Sequence, residues 1–302
     1  MKKKLVTTLV AGILAGGSIL GLAACGEESN SGKTVIKAAT GARPAPFILT
    51  TENKDEALYT TKDGVYLTGY DIAVITEVFK LPELENYELD LNVSSNTLVD
   101  AQTGTVDFAI NNYGYNTDRA QSYYYSYPYT KSRYQIAALN TADSFESVAN
   151  QGLKIYSGAG SHTGNAIERW NEKRTSGQAT ITLDYTSADM TVQLQEAIEG
   201  KVALIHDEPV MYSYSKAYPD LFKDLTITTL SDEEVAQNIT AYNTSHLLFG
   251  KAGAHAKEYR DLISAGIKKL YENGKLTEFS KKYVGETVNV VPSASDYTKY
   301  LN

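Results

Sequence analysis

Cysteine, tryptophan and histidine are scarce in this sequence of 302 residues, which has one, one and four of them. A single cysteine excludes an intrachain disulfide, an iron–sulfur cluster and a zinc site built on cysteine. The four histidines lack the spacing of metal ligands, so no metal site is predicted. They are His162, His206, His246 and His255.

The chain is acidic overall, with a net charge of −8, and it has no block of basic residues that could neutralise a nucleic-acid backbone. Nucleic acid is therefore not an expected partner. Enzyme motifs are absent as well: there is no Ser/His/Asp arrangement, no G-x-S-x-G elbow and no P-loop. We predict neither an enzyme nor a cofactor. The composition, 42% hydrophobic and 21% charged, is that of a globular protein, with tyrosine abundant at 23 residues.

The amino terminus has the three parts of a secretory signal. A basic run, Lys2–Lys4, precedes the uncharged and mostly apolar stretch Leu5–Leu22, and small residues follow. A retained membrane helix is the alternative, since the apolar stretch is long enough to span a bilayer. Three glycines between positions 12 and 17 weaken that alternative. Residues 1–24 are therefore predicted to be a signal peptide.

The segment Leu22-Ala23-Ala24-Cys25 resembles a bacterial lipobox, in which the cysteine receives a lipid after cleavage. This resemblance implies that Cys25 anchors the protein at the outer face of the cell membrane. Residues 25–33 would then form a flexible tether. The mature chain would have 278 residues and, since three lysines and no acid are removed, a net charge of −11.

Predicted strands and helices alternate along the mature chain. Thr34–Thr40 and Tyr87–Val93 have the pattern of strands, and Asp71–Lys80 and Ala254–Asn273 that of helices. This alternation predicts an α/β fold with parallel-rich sheets. Further strands are predicted at 106–110, 133–139, 153–157, 202–206, 225–230 and 245–250, and further helices at 163–173, from 187 or 189 to 200, and at 276–283.

Three loops follow predicted strands, at the edge where open α/β sheets bind ligands. They cover residues 111–119, 158–164 and 207–209. Together they offer a guanidinium, the free amides of a helix start and a carboxylate. Such groups match a ligand that has both an anionic and a cationic end.

Five motifs, in order, resemble the extracellular solute-binding proteins of polar amino-acid ABC transporters, over about residues 34–285. The motifs are Pro44-Ala45-Pro46-Phe47, Leu67-Thr68-Gly69-Tyr70-Asp71-Ile72, the segment 107–129 with Thr117-Asp118-Arg119-Ala120 and Tyr125-Ser126-Tyr127-Pro128-Tyr129, Gly160-Ser161-His162, and 200–209. The resemblance implies a type II periplasmic-binding-protein fold, with two α/β lobes joined by two hinge segments around a ligand cleft. Lobe 1 would comprise residues 34–135 and 240–302, and lobe 2 residues 136–239.

The resemblance also implies roles for residues of the cleft. Arg119 would hold the α-carboxylate of the ligand through two parallel hydrogen bonds. The alternative, a surface arginine, is weakened because a cation at a helix start opposes the helix dipole. Ser161 and His162 would offer backbone N–H groups to the same anion. Asp207 would pair with the α-ammonium.

Four further positions complete the predicted site. Asn112 would accept the ammonium through its backbone carbonyl, and Gly114 would donate its N–H to the carboxylate without the hydroxyl usual in the family. Phe47 and Tyr113 would form apolar walls, the alternative being core packing. Asp71 is expected to be structural, as are the other tyrosines, which include the cluster Tyr123, Tyr124, Tyr125, Tyr127, Tyr129 and Tyr134. Ser94 stands where many members of the family have Phe or Trp, so the sequence does not identify the ligand.

The expected function follows from these roles. A monomeric lipoprotein would capture a polar or sulfur-containing amino acid by cleft closure and deliver it to the permease subunits of an ABC importer. Cystine is favoured because Ala109-Ile110-Asn111-Asn112 resembles the cystine-binding branch. A sensor or adhesin on the same fold, and a small-acid dehydratase-like enzyme, are the alternatives.

Overall fold

The computed structural model describes residues 32–41, 45–115, 117–158, 161–185 and 188–298. The predicted signal peptide, Cys25, most of the tether, Pro44 and Gly160 lie outside the described residues. Within the described ranges, no helix is both long and apolar enough to cross a membrane.

The described chain contains strands and helices in alternation, as predicted. The expectation of parallel-rich sheets is wrong, because most of the described strand pairs are antiparallel. The strands are β1 Thr34–Thr40, β2 Leu49–Thr51, β3 Tyr59–Thr60, β4 Tyr66–Thr68, β5 Tyr87–Val93, β6 Phe108–Gly114, β7 Tyr123–Tyr125, β8 Thr130–Lys131, β9 Tyr134–Ala138, β10 Lys154–Tyr156, β11 Thr182–Asp184, β12 Leu204–Asp207, β13 Thr226–Thr229 and β14 Thr244–Gly250. The helices are α1 Tyr70–Val78, α2 Thr97–Gln102, α3 Arg119–Ser122, α4 Phe145–Asn150, α5 His162–Glu172, α6 Met190–Ile198, α7 Glu208–Ala217, α8 Pro219–Phe222, α9 Asp232–Glu234, α10 Ala256–Glu272 and α11 Lys275–Phe279.

The first large sheet combines strands from both ends of the chain, in the order β5–β1–β6–β14–β7. β1 is parallel to β5 and β6, whereas β14 is antiparallel to β6, β7 and β8. Helices α1 and α10 pack on one face and α2 on the other. β6 and β14 are buried along most of their length, whereas β5 at the sheet edge alternates apolar residues with Glu88, Asp90 and Asn92.

The second sheet is built around β9, which is antiparallel to β12 and β13. β10 and β11 form a parallel pair, and a parallel bridge between Lys154 and Val202 places β10 beside the segment that leads into β12. Helices α4 and α5 pack on one face of β9 and β12, and α6 and α7 on the other. A small third sheet contains β2, β4 and β3.

The chain passes between the two large sheets at two adjacent places. One is between the end of β8 at Lys131 and the start of β9 at Tyr134, and the other leads into β14 at Thr244. The Ser132 N–H donates to the Asn243 carbonyl at 3.1 Å, so the two crossings run side by side. The lobe limits given above, at 135/136 and 239/240, stay a prediction.

Two of the predicted loops are wrong. The strand expected at 106–110 begins at Phe108 and continues to Gly114, because Tyr113 and Gly114 pair with His246 and Ser245 of β14. The segment 207–209 is not a loop, since α7 begins directly after Asp207. In the third loop, 158–164, α5 begins at His162.

Gly250 lies where β14 passes close to the backbone of α2. A β-carbon added there would lie 1.8 Å from the Ala101 carbonyl oxygen, which belongs to the backbone and cannot rotate away. We therefore expect Gly250→Ala to lower the free energy of unfolding by about 3 kcal/mol, measured by urea denaturation.

Gly114→Ala is the matched control, because its β-carbon would meet no atom closer than the Thr244 carbonyl oxygen at 4.0 Å. We expect its unfolding free energy to change by less than about 1 kcal/mol. Equal losses in the two variants would contradict the close approach at Gly250.

Candidate functional site

A cavity of about 800 Å³ lies between the two large sheets. Strands β6, β10 and β12 all end at its wall, which is where α/β sheets bind ligands. The cavity is lined by all eight residues predicted to contact the ligand, together with residues that the sequence did not indicate. The eight are Phe47, Asn112, Tyr113, Gly114, Arg119, Ser161, His162 and Asp207.

Asn112 connects the two sides of this cavity. Its side-chain Nδ2 donates to Oδ2 of Asp207 at 3.2 Å. The backbone of Asn112 has a φ of +49°, a left-handed conformation that asparagine tolerates better than most residues. Its N–H donates to Asp71 at 3.0 Å and to the Tyr129 hydroxyl at 3.1 Å, and the Thr130 hydroxyl donates to its Oδ1 at 3.1 Å. Asn112 is therefore held on three sides while its amide reaches across the cleft.

Asp71 lies in the core and accepts a hydrogen bond from the backbone of Asn112. It is fully buried in the first turn of α1, and its Oδ2 also accepts from the Tyr129 hydroxyl at 2.9 Å. Burial and the Asp71 carboxylate raise the pKa of Tyr129 well above its usual value. Asp71 is not among the described residues that line the cavity, which fits its predicted structural role.

Asp207 ends β12 and caps α7. Its Oδ1 accepts from the Val210 N–H at 3.3 Å, while Oδ2 takes the Asn112 amide. Together with burial, the Asp207 carboxylate raises the pKa of two tyrosines of the cavity wall, Tyr134 and Tyr214. A carboxylate fixed by a strand end and a helix cap is well placed to receive a cation.

Arg119 is half-buried at the start of α3, on the side of the cavity formed by the first sheet. Its guanidinium carbon lies 5.5 Å from the centroid of the Tyr113 ring. Tyr113 is only 5% exposed, and its hydroxyl forms a hydrogen bond with Thr97. A cation over a fixed aromatic ring loses little freedom when it binds an anion. Tyr113 is thus both a core residue and part of the wall.

Ser161 and His162 form the start of α5. The Ser161 N–H donates to the Gly158 carbonyl at 3.0 Å, so the prediction that this amide is open to the anion is wrong. The Ser161 hydroxyl caps the helix, accepting from the Gly164 N–H at 3.0 Å, and it shares a hydrogen bond of 2.7 Å with Ser157. The His162 Nε2 is buried and has no hydrogen-bond partner among the described residues. Burial, and then the nearby charge of Arg119, lower the pKa of His162 to about 4. His162 is therefore neutral at physiological pH.

Phe47 and Gly114 contribute differently to the cavity wall. Phe47 is 2% exposed and meets Tyr70 edge to face, so core packing accounts for most of its surface. Gly114 has room for a side chain. A serine or threonine hydroxyl would fit there, and glycine leaves the cleft wider.

The prediction that Tyr113 alone among the tyrosines forms a wall is wrong. Four others line the cavity, as do Met190, Gln193 and His206; the four are Tyr134, Tyr156, Tyr185 and Tyr214. Tyr156 could have been found, because it closes the strand that precedes the predicted loop at 158. Ser94 does not line the cavity; its hydroxyl donates to Asp100, and Ser95–Val99 form that part of the wall.

The cleft is nearly balanced in charge. Among the described residues that line it, Asp207 is the only carboxylate, and Arg119 is the only lysine or arginine. Burial lowers the pKa of His206 to about 4, so this second histidine of the wall is also neutral at pH 7. One cation and one anion therefore face the same buried space.

The comparison with known families agrees with this geometry. Residues 48–286 match the profile of the bacterial extracellular solute-binding proteins, family 3. The chain belongs to this family. It is a solute-binding protein with the type II fold, and the resemblance found in the sequence is confirmed.

Individual relatives are distant but cover most of the chain. The L-cystine-binding protein TcyA of Bacillus subtilis (strain 168) is 27% identical over 288 residues, which are 90% of this chain and 95% of TcyA. A structure from work on glutathione import via GshT and the cystine importer TcyBC of Streptococcus mutans has a TM-score of 0.68 and 23% identity, over 87% of this chain and 99% of the other. The arginine-, lysine-, histidine-binding protein ArtJ of Geobacillus stearothermophilus has a TM-score of 0.60 and 20% identity, with the same two coverages.

The buried histidines make stability depend on pH. Burial lowers the pKa of His162, His206 and His246 from 6.5 to about 4, so between these values the unfolded chain binds more protons than the folded one. The stabilising effect is complete above pH 6.5 and is lost on acidification. The fully buried His246 alone should make the free energy of unfolding about 2 kcal/mol lower at pH 5 than at pH 7, measured by urea denaturation.

His246→Gln is the control for this loss, because glutamine can also hydrogen-bond to Ser126 and Thr244, as His246 does, without titrating. Its stability should fall less between pH 7 and pH 5 than that of the wild type. Equal pH slopes would contradict the assignment to His246.

Proposed function

We propose that this protein is the substrate-binding component of an ABC importer and captures a polar or sulfur-containing amino acid. The charge pair of the cleft carries the proposal. Arg119 faces the cavity from the side of the first sheet and Asp207 from the side of the second. An α-amino acid carries the opposite pair, a carboxylate and an ammonium, a short distance apart.

The roles proposed for the cleft residues are those that the family resemblance implies, and all of these residues line the cavity. Arg119 takes the α-carboxylate with two parallel N–H donors. The Gly114 N–H and the backbone amide of His162 add hydrogen bonds to the same group, whereas the Ser161 N–H donates to the Gly158 carbonyl at 3.0 Å. Asp207 receives the ammonium, together with the Asn112 backbone carbonyl.

Apolar side chains in the cleft wall would contact the rest of the ligand. Tyr113 and Phe47 border the cavity on the side of the first sheet. When the lobes close and exclude water, each of these polar contacts would be stronger than the same contact in water.

Closure is the proposed mechanism. A ligand that touches both lobes is bound more tightly by the closed arrangement and shifts the population toward it. Lobe 1, residues 34–135 and 240–302, and lobe 2, residues 136–239, would move about the two adjacent crossings. The permease would then recognise the closed form. We also propose that Cys25 carries the lipid that holds the protein, as a monomer, at the outer face of the membrane.

Cystine-like ligands are favoured over basic ones. TcyA, which is 27% identical, is an L-cystine-binding protein. Arginine or lysine would bring a second cation into the cleft, whereas Asp207 is the one carboxylate among the described lining residues. A buried charge without a partner is costly, so an amino acid whose side chain is net neutral fits better.

A thermal-shift screen of the protein against all amino acids and cystine tests this function. Tight ligands raise the melting temperature by mass action, and we expect cystine to do so. Arg119→Ala should weaken binding of the best ligand at least about 30-fold in calorimetry, because its carboxylate would be left unpaired in the cleft.

Arg169→Ala is the control for this loss, since Arg169 is exposed on α5 and does not line the cavity. Its affinity should stay within about two-fold of the wild type. Silence across the whole panel, or unchanged affinity in Arg119→Ala, would overturn the proposal.

A further inference from the structure

Three large side chains form a patch on the second-sheet side of the cavity. Tyr156, Tyr185 and Met190 all line it, and none has a role in holding the α-carboxylate or the α-ammonium. Tyr156 ends β10 and lies in register with Asp184 of β11, so Tyr185 directly follows its neighbour. We call these three residues the distal patch.

The sheet sets the distance between this patch and Asp207. β10 lies beside the segment that leads into β12, and β11 pairs with β10 on the other side. Because neighbouring strands lie about 4.8 Å apart, Tyr185 is two strand spacings, roughly 10 Å, from the strand that carries Asp207. A ligand that spans both places is longer than a small amino acid.

Tyr156 is fixed by polar partners outside the cavity wall. Its hydroxyl accepts from the Lys154 ammonium at 2.7 Å and donates to Glu196 at 3.1 Å. The same ammonium lies 4.2 Å from the centroid of the Tyr156 ring and pairs with Glu196 and Asp184 at 3.2 and 3.4 Å. Held at both ring and hydroxyl, Tyr156 presents a preorganised surface.

Tyr185 is fixed in a similar way and yet is open to the cleft. Its hydroxyl donates to Glu168 of α5, while 45% of the residue is exposed. An aromatic residue that is both anchored and exposed at a cavity wall offers apolar area at little cost in conformational entropy. Met190, at the start of α6, adds a polarisable thioether to the same wall.

We propose that the distal patch is a second subsite, which receives the far half of an elongated amino acid that is net neutral and contains sulfur, such as a disulfide. This inference rests on the proposed function, because the near half must be held at Arg119 and Asp207. Sulfur packs favourably on aromatic rings, and a flexible methionine adapts to the shape of its neighbour. The described lining offers neither a second carboxylate nor a second lysine or arginine, so a far end with one net charge would lack a counter-charge there. The ammonium and the carboxylate at the far end of a disulfide amino acid lie side by side and partly balance each other.

Calorimetry on the full-length chain in detergent, with one long and one short probe, tests the subsite. Cystine reaches the distal patch, whereas S-methylcysteine ends before it. We expect Tyr185→Ala to weaken cystine binding about ten-fold and to change S-methylcysteine binding by less than two-fold. Tyr185→Phe, which keeps the ring, should bind cystine within two-fold of the wild type. The melting temperature of each unliganded variant shows whether it folds.

Two results would overturn the subsite and leave the proposed function standing. One is cystine binding by folded Tyr185→Ala and Tyr156→Ala that equals that of the wild type. The other is a wild-type protein that binds arginine more tightly than cystine. If the wild type binds no amino acid at all, the proposed function fails, and the subsite fails with it.

Discussion

The hydrogen bond from the Asn112 amide to the Asp207 carboxylate is the contact around which the cleft is organised. It joins the end of β6 to the end of β12, and so brings together the edges of two sheets that have separate cores. The left-handed backbone of Asn112 aims the amide outward, and its cost is offset by Asp71, Tyr129 and Thr130. The buried polar residues of lobe 1 thus serve the site without lining it.

Electrostatic balance is the second constraint on this cleft. A cleft that loses water on closure tolerates charge only when the charge is paired, and here a single cation and a single carboxylate come from opposite sides of the described wall. The two histidines of the wall stay neutral because burial opposes their protonation. A net neutral ligand with its own separated charges offers a counter-charge to Arg119 and to Asp207. These contacts replace the hydration that each group loses in the closed cleft. Tyrosines supply much of the remaining surface, and the hydroxyls of Tyr113, Tyr156 and Tyr185 are directed to other partners.

Much of this arrangement could be read from the sequence, for physical reasons that differ between elements. Thr34–Thr40 and Tyr87–Val93 are strands with the predicted limits, because local propensity and burial agree there. The strand through Asn111–Gly114 was not predicted, since its polar residues favour a turn until β14, which lies 130 residues later, pairs with them. Helix α7 was missed because Pro209 suggested a loop, although proline is favourable in the first turn of a helix after a capping residue such as Asp207.

The local sequence does not predict which tyrosines face the cleft. A ring can face a core or a cleft with the same local sequence around it, and only the placement of β10, β11 and α6 decides this for Tyr156 and Tyr185. In the proposed mechanism both sides of the cleft bind one ligand. Small-angle X-ray scattering of the protein tests it most directly, with and without saturating cystine. We predict a smaller radius of gyration with cystine and no change in Arg119→Ala; an unchanged radius of the wild type at proven saturation would contradict the account.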